Sequence, residues 1–247
     1  MPMQLSYNWL LVLLSFAVSV LGSFTALQVA VAIPLATNQH QKTAAVAMAG
    51  GAMGVGAMWT MHFMAMLACD TGMQVTYAPS LIALSALVAF AAGAAGLMLV
   101  ASDRFSWLKL LGAGACIGLG AGGMHYLGIE AMMMPAVVRY DTELVAVSLA
   151  IPTIGSMIAL WFAFNLRGRW QMTASALVMG VALCGMHYTG MAAASFYDND
   201  GQLPDGYVDG LRSVNLGLTI FAIVTTLLLL LLVLYYWRHR YRSSLSI

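Results

Sequence analysis

Charge is what this sequence has least of. Only 8% of its 247 residues are charged, against 62% hydrophobic, whereas a soluble domain carries about 25% charged residues. So few charges cannot cover a water-facing surface, and the chain is read as a polytopic membrane protein. A net charge of +1 argues against a nucleic-acid partner. Three cysteines, Cys69, Cys116 and Cys184, make no disulfide framework. There is no Walker loop, no Rossmann fingerprint and no G-x-S-x-G elbow. The N-terminus lacks a basic segment and a small-residue cleavage site, so the first apolar run is expected to stay as a helix.

Long apolar runs are abundant. A span needs about 20 residues, and seven runs qualify, near 9–33, 43–68, 81–101, 107–134, 144–165, 171–196 and 213–237. Polar or turn-forming stretches separate them: 37–42, 69–72 with 78–80, Asp103-Arg104, Pro135 with 139–143, 167–169, and the Gly- and Asp-rich 198–209. The expected fold class is all-α, a bundle of seven transmembrane helices spanning 1–237 with a short basic tail at 238–247. Lys42, Arg104, Lys109, Arg167, Arg169, Arg238, Arg240 and Arg242 fall on one side, and Arg139 and Arg212 on the other. Basic residues favour the cytoplasmic side, which places the N-terminus outside and the C-terminus in the cytoplasm.

One stretch occurs three times. Met61-His62-Phe63, Met124-His125-Tyr126 and Met186-His187-Tyr188 stand 63 and then 62 residues apart, an internal repeat. Each copy lies in an even-numbered helix, in the third nearest the outer face. The repeat is therefore two helices long, and three copies plus a closing helix make seven. A pseudo-threefold bundle follows, with the even helices inside. Glycines along them, such as Gly50, Gly54, Gly118, Gly122 and Gly180, allow close helix approach. Residues 220–234 are almost purely aliphatic, so the seventh helix is expected to face lipid. Its end, Trp237 to Arg242, is an aromatic and basic anchor.

An ionisable residue inside a span is a functional candidate. Three converging imidazoles make a metal site with a position to spare. Residues three or four apart share a helix face, which brings Met58 and Met66 beside His62, and Cys184 and Met191 beside His187. The candidate ligands are His62, His125 and His187 with Met66 and Met191, which repeat the His-to-Met spacing of four. Thioethers favour Cu(I), so copper is the expected cofactor; zinc is the alternative, since three histidines suit it equally. Met61, Met124 and Met186 point about 100° away and suit helix contacts. Glu130 either orients an imidazole or faces outer water, and Asp70 and Cys69 either cap the site or belong to a loop. Trp59, Phe63, Tyr126 and Tyr188 either wall the pocket or form an interfacial belt. His40 and His239 lie on the cytoplasmic side.

The three stretches resemble the MHYT domain, a bacterial integral-membrane sensor module. Met186-His187-Tyr188-Thr189 is the full motif; Met124-His125-Tyr126-Leu127 departs at the last position, and Met61-His62-Phe63-Met64 at the last two. The likeness runs from the first helix to the seventh. It implies a multi-pass protein of the bacterial inner membrane, and a copper site formed near the outer face by motif His and Met. It also implies sensing of a diatomic gas (oxygen, carbon monoxide or nitric oxide). In that family the module is often followed by cytoplasmic GGDEF and EAL domains for cyclic di-GMP, or by a kinase, so an output domain or partner is expected beside the lipid bilayer. The chain is then either a stand-alone module or the sensor part of a longer protein. The primary expectation is thus a sensor, not an enzyme. The competing readings are a zinc-dependent membrane hydrolase using Glu130 or Asp70 as base, a metal transporter, and haem held between two of the histidines.

Overall fold

The computed structural model describes residues 3, 5–101, 106–166, 168 and 170–244, with side chains up to Trp237. The expected breaks at Asp103-Arg104, Arg167 and Arg169, and the side chains of the basic segment after Trp237, His239 among them, lie outside the described residues.

Among the described residues seven helices are long and apolar enough to cross a membrane: Trp9–Leu35, Gln39–Ala68, Pro79–Val100, Trp107–Glu130, Thr142–Asn165, Gln171–Ala193 and Ser213–Trp237. The all-α bundle with seven spans is therefore the observed architecture. The last helix continues to Ser244, past the expected end at 237. Two boundaries move for one reason. The fourth and sixth helices stop at Glu130 and Ala193, and the chain turns into short strands at Met132–Met133 and Ala194–Asp198. These residues are as apolar as the helix before them, so hydropathy carried the expected helices to 134 and 196. Backbone pairing decides otherwise.

The strands show the repeat to be larger than two helices. Ser6–Tyr7 pairs antiparallel with Cys69–Asp70, Thr76–Tyr77 with Met132–Met133, and Ala136–Tyr140 with Ala194–Asp198. Each repeat is thus an entry strand, an odd helix, an even helix and an exit strand that returns to the entry strand. The exit strand begins seven residues after the histidine in all three copies. One backbone bond recurs with it. The N–H groups of Asn8, Ala78 and Asp141 donate to the carbonyls of Ala68, Ala131 and Ala193, each at 2.9 Å. Pairing of this kind satisfies the backbone groups left open where a helix ends near the bilayer surface.

The residue after each entry strand starts the odd helix. Asn8 Oδ1 accepts from the N–H of Leu10 at 3.1 Å, and Asp141 Oδ1 from Glu143 at 2.9 Å; both are N-caps. In the second repeat Pro79 follows Ala78 at the first helical position, where the missing N–H costs nothing.

The even helices lie against the next odd helix, and the order closes on itself. Gly54 abuts the backbone of Ala89 in the third helix, Gly118 that of Thr153 in the fifth, and Gly180 the Val20 side chain in the first. A Cβ at any of the three would collide. The seventh helix stands outside this ring. Only 17% of its apolar window is buried, against 61% for the second and sixth helices, so it faces lipid as expected. It rests on the second helix, Gly217 against Leu67 and Phe63, and Leu228 against Gly56.

The second helix differs from its two counterparts. Residues Gly51–Trp59 are wound as a π-helix between α-helical segments Gln39–Gly50 and Thr60–Ala68. The Thr60 N–H and its Oγ1 both reach back five residues to the Val55 carbonyl. The sequence explains the wide turns. Gly118 and Gly180 lie seven residues before their histidines, but Gly54 lies eight before His62. One extra residue is absorbed there, as in a π-bulge, and His62 keeps its place in the threefold.

Candidate metal centre

His62, His125 and His187 meet on the bundle axis, each fully buried. Their rings stand edge-to-face at centroid separations of 5.1, 5.1 and 4.9 Å. The nitrogens that converge are Nδ1. His62 Nδ1 lies 3.1 Å from His125 Nδ1 and 3.2 Å from His187 Nδ1. A tetrahedral centre with bonds of about 2.0 Å sets its ligand atoms roughly 3.3 Å apart, so these two edges match those of such a centre, and one ligand nitrogen of each of the three residues lies within 4.8 Å of the others. The donor chemistry fits as well. With a single proton on one Nδ1, the other two lone pairs crowd onto it, whereas a cation at the middle accepts all three. Among the described residues no cysteine or carboxylate joins the group.

The far side of each ring is held by shape. Nε2 of all three histidines is buried without a hydrogen-bond partner among the described residues. His62 Nε2 is pressed against Gly128, and His125 Nε2 against Gly190. Both glycines stand three residues after a motif histidine, on the neighbouring even helix. The equivalent residue of the first repeat is Ala65, also fully buried. A metal-bound imidazole usually donates its second N–H to a carboxylate or carbonyl. Here packing sets the ring angle instead.

Layers of threefold-equivalent residues surround the triad. On the inner side Met61, Met124 and Met186 are fully buried in the main core, the helix-contact role expected of them. On the outer side the positions four after each histidine are Met66, Ile129 and Met191, in one buried cluster with Met134 and Phe196. The structure thus brings Met66 and Met191 together and places Ile129, which offers no donor atom, at the third position. Met134 joins them; no repeat spacing pointed to it, because it comes from the chain after the fourth helix.

The motif aromatics form a cuff around the centre. Phe63, Tyr126 and Tyr188 each meet their own histidine edge-on at 4.9–5.0 Å. Each also meets an entry-strand tyrosine: Phe63 with Tyr77, Tyr126 with Tyr140, and Tyr188 with Tyr7, at 5.5–5.6 Å. Burial raises the pKa of Tyr7 and of Tyr77 and pushes that of Tyr140 up to about 12, so these phenols stay neutral. Tyr126 and Tyr188 hydroxyls contact Ser148 and Ser15 of the next odd helix, at 2.6 and 3.4 Å. Phe63, Tyr126 and Tyr188 therefore stand against the histidines, while Trp59 packs edge-on against Phe63 at 5.2 Å.

The remaining candidates fall away from the centre. Glu130 and Asp70 are exposed, as is His40. Cys69 is half-buried beside Tyr7, and burial pushes its thiol up to about 11. Haem between two histidines does not fit. The imidazole rings touch one another, and Nδ1 atoms 3.1–3.2 Å apart leave no space for a macrocycle.

Seven spans, a three-histidine centre and a threefold helical repeat define a polytopic membrane module with a metal-binding core. Its family follows from comparison. A profile described as "Bacterial signalling protein N terminal repeat" (MHYT) matches residues 54–113 and 118–176. The chain belongs to the MHYT family, and is a multi-pass protein of the bacterial inner membrane. The third copy, with His187, lies beyond the matched residues but shares their geometry. The chain is 38% identical over 231 residues to the bifunctional diguanylate cyclase/cyclic di-GMP phosphodiesterase MucR of Pseudomonas aeruginosa, covering 90% of this chain and 32% of MucR. It is 35% identical over 196 residues to the cyclic di-GMP phosphodiesterase NbdA of the same organism (76% and 24%). It is 28% identical over 240 residues to the signaling protein YkoW of Bacillus subtilis (92% and 29%). The chain thus spans a third or less of the length of these relatives. No solved structure matches it.

Proposed function

We propose that the module holds one copper ion on His62, His125 and His187, senses a diatomic gas there, and signals to the cytoplasm through the seventh helix. The observation that carries this reading is the convergence of three buried imidazoles, with His62 Nδ1 3.1 Å from His125 Nδ1 and 3.2 Å from His187 Nδ1. Copper would supply an open coordination position of the kind that takes diatomic gases. Met66 and Met191, in the buried layer just outward of the triad, are the thioethers available to such a centre, and they favour copper over zinc. Because the second repeat has Ile129 at this position, the repeat-equivalent positions offer two thioethers, and Met134 adds a third from outside the repeat.

The chain's own residues supply the rest. The aromatic cuff and the sulfur-rich layer exclude water from the site. Signal transfer needs an element in contact with both the site and the cytoplasmic side. The seventh helix meets that need. It rests on Phe63 and Leu67 beside His62, and on Gly56 within the π-helical turns. The names of the relatives, a cyclic di-GMP cyclase/phosphodiesterase and a phosphodiesterase, support cyclic di-GMP turnover as the output of a longer protein or a partner.

Two observations weigh against a hydrolase or a transporter. The hydrolase lacks a base, since Glu130 and Asp70 are exposed. A transporter needs ligands at several depths across the membrane, and among the described residues only one group of three His, Cys, Asp or Glu side chains close enough to hold an ion occurs. The test is metal analysis with electron paramagnetic resonance on detergent-purified protein, compared with a His62→Ala, His125→Ala, His187→Ala variant. Copper in the wild type and none in the variant is the expected result. Zinc in the wild type, or equal metal in both, overturns the reading.

A further inference from the structure

A cavity of about 930 Å³ opens on the outer side, between the first two exit strands and the start of the seventh helix. Its wall carries four sulfur-bearing side chains: Met66, Cys69, Met73 and Met132. Three of these, Met66, Cys69 and Met132, also belong to the buried cluster outward of the histidines. That cluster is rich in sulfur throughout, with Met3, Met134 and Met191 completing five methionines and one cysteine. Met66 is the point where the two meet. It is 4% exposed, touches the cavity with that margin, and stands one helical turn from His62.

The strands place the other sulfurs at the cavity rim. Cys69 opens the first exit strand opposite Tyr7, and Met132 opens the second opposite Tyr77. The cavity is therefore bounded by the outward continuations of two of the three metal-bearing helices. Thioethers and thiols bind soft monovalent cations and discriminate against the hard divalent ions that dominate outside a cell.

We propose that this cavity is the loading site for the metal centre: it captures a soft monovalent cation, of the Cu(I) class, on Cys69 and Met132, and passes it by way of Met66 to the histidines. The inference rests on the copper reading above. No oxidation state changes on the path. The cation takes the place of the Cys69 thiol proton, which leaves to water in the cavity. When the cation moves on, the sulfur regains a proton from that water.

The test follows the transfer of Cu(I), supplied anaerobically from a chromophoric chelator, to the full chain in nanodiscs by stopped-flow absorbance. Cys69→Ser and Met132→Leu change a sulfur with little change of volume. Both variants should reach the wild-type copper content with a rate at least tenfold lower. Wild-type rates in both would overturn the proposal while leaving the histidine centre standing. Loss of the final copper content in Cys69→Ser would also overturn it, by making Cys69 part of the resident site. A second measurement separates this inference from its parent. The triple-histidine variant, metal-free as purified, should take up one weakly held ion when excess Cu(I) is supplied, with an X-ray absorption spectrum dominated by sulfur scatterers. If that variant takes up no Cu(I), the loading site does not exist. If the wild type holds no more copper than the variant, the parent reading is the one that fails.

Discussion

Trp59 donates its indole N–H to Ser85 Oγ at 3.0 Å, in the place where the other two repeats use a tyrosine hydroxyl. Ser15, Ser85 and Ser148 each stand eight residues after an entry-strand tyrosine. Ser15 and Ser148 meet Tyr188 and Tyr126. Phe63 has no hydroxyl, and Trp59, one helical turn earlier, supplies the missing bond. The departure of the first motif from Tyr to Phe is thus compensated inside the same helix.

This bond should be measurable by a double-mutant cycle. Trp59→Phe and Ser85→Ala each leave a partner unmatched in an apolar setting, and a hydrogen bond of this kind contributes about 1 kcal/mol. Unfolding by SDS titration in mixed micelles should show both single variants destabilised, with a coupling of about 1 kcal/mol between them. Additive losses would mean that the two side chains act independently.

Gly128 sets the angle of the His62 ring, so Gly128→Ala should damage the metal centre without touching a ligand. A methyl group there occupies the space of His62 Nε2, and the imidazole must turn its Nδ1 off the axis. Gly123, on the same helix, is exposed and would place its Cβ in ordinary contact with Val88 at 3.9 Å. Copper affinity measured against a competing chelator should fall at least tenfold in Gly128→Ala and stay unchanged in Gly123→Ala. Equal behaviour of the two would remove the glycine from the site.

Cys69 offers a test of sidedness. With Cys116 and Cys184 replaced by Ala, a membrane-impermeant maleimide should label Cys69 in right-side-out vesicles and not in inverted ones. The thiolate is the reactive form, and burial holds this thiol near 11. Labelling should therefore be slow at pH 7 and rise about tenfold per pH unit up to pH 10. Labelling confined to inverted vesicles would reverse the orientation drawn from Lys42, Lys109 and their companions.

Much of this was legible in the sequence because membranes penalise polar groups. A histidine in an apolar span stands out, and three at spacings of 63 and 62 give the repeat, the depth and the inner ring. Met66 and Met191 followed from helical periodicity. The strands were not legible, since Met132-Met133 and Ala194 to Phe196 continue the hydropathy of the helices before them and only pairing distinguishes them. Neither the use of Nδ1 nor the place of Gly128 was legible, because both depend on contacts between different repeats. Trp59 could be read only as an aromatic near the site. Its partner Ser85 is 26 residues away, on the next helix.

The π-helical turns make the sharpest prediction, because they explain a difference of one residue. Gly54 precedes His62 by eight residues, where Gly118 and Gly180 precede their histidines by seven. If Gly51–Trp59 is wide only to absorb that residue, deleting Val55 should let the segment close into ordinary α-helix. The Gly54 contact with Ala89 and the position of His62 would then both survive. The same deletion in the fourth helix has no slack to consume. Removing Leu119, between Gly118 and His125, rotates one end by about 100° relative to the other, and either the Gly118 contact with Thr153 or the His125 position is lost. Deletion of Val55 should therefore leave the copper content at wild-type level, and deletion of Leu119 should abolish it. Loss of copper in the Val55 deletion, with the protein still folded by circular dichroism, would mean that the wide turns themselves hold His62 in place.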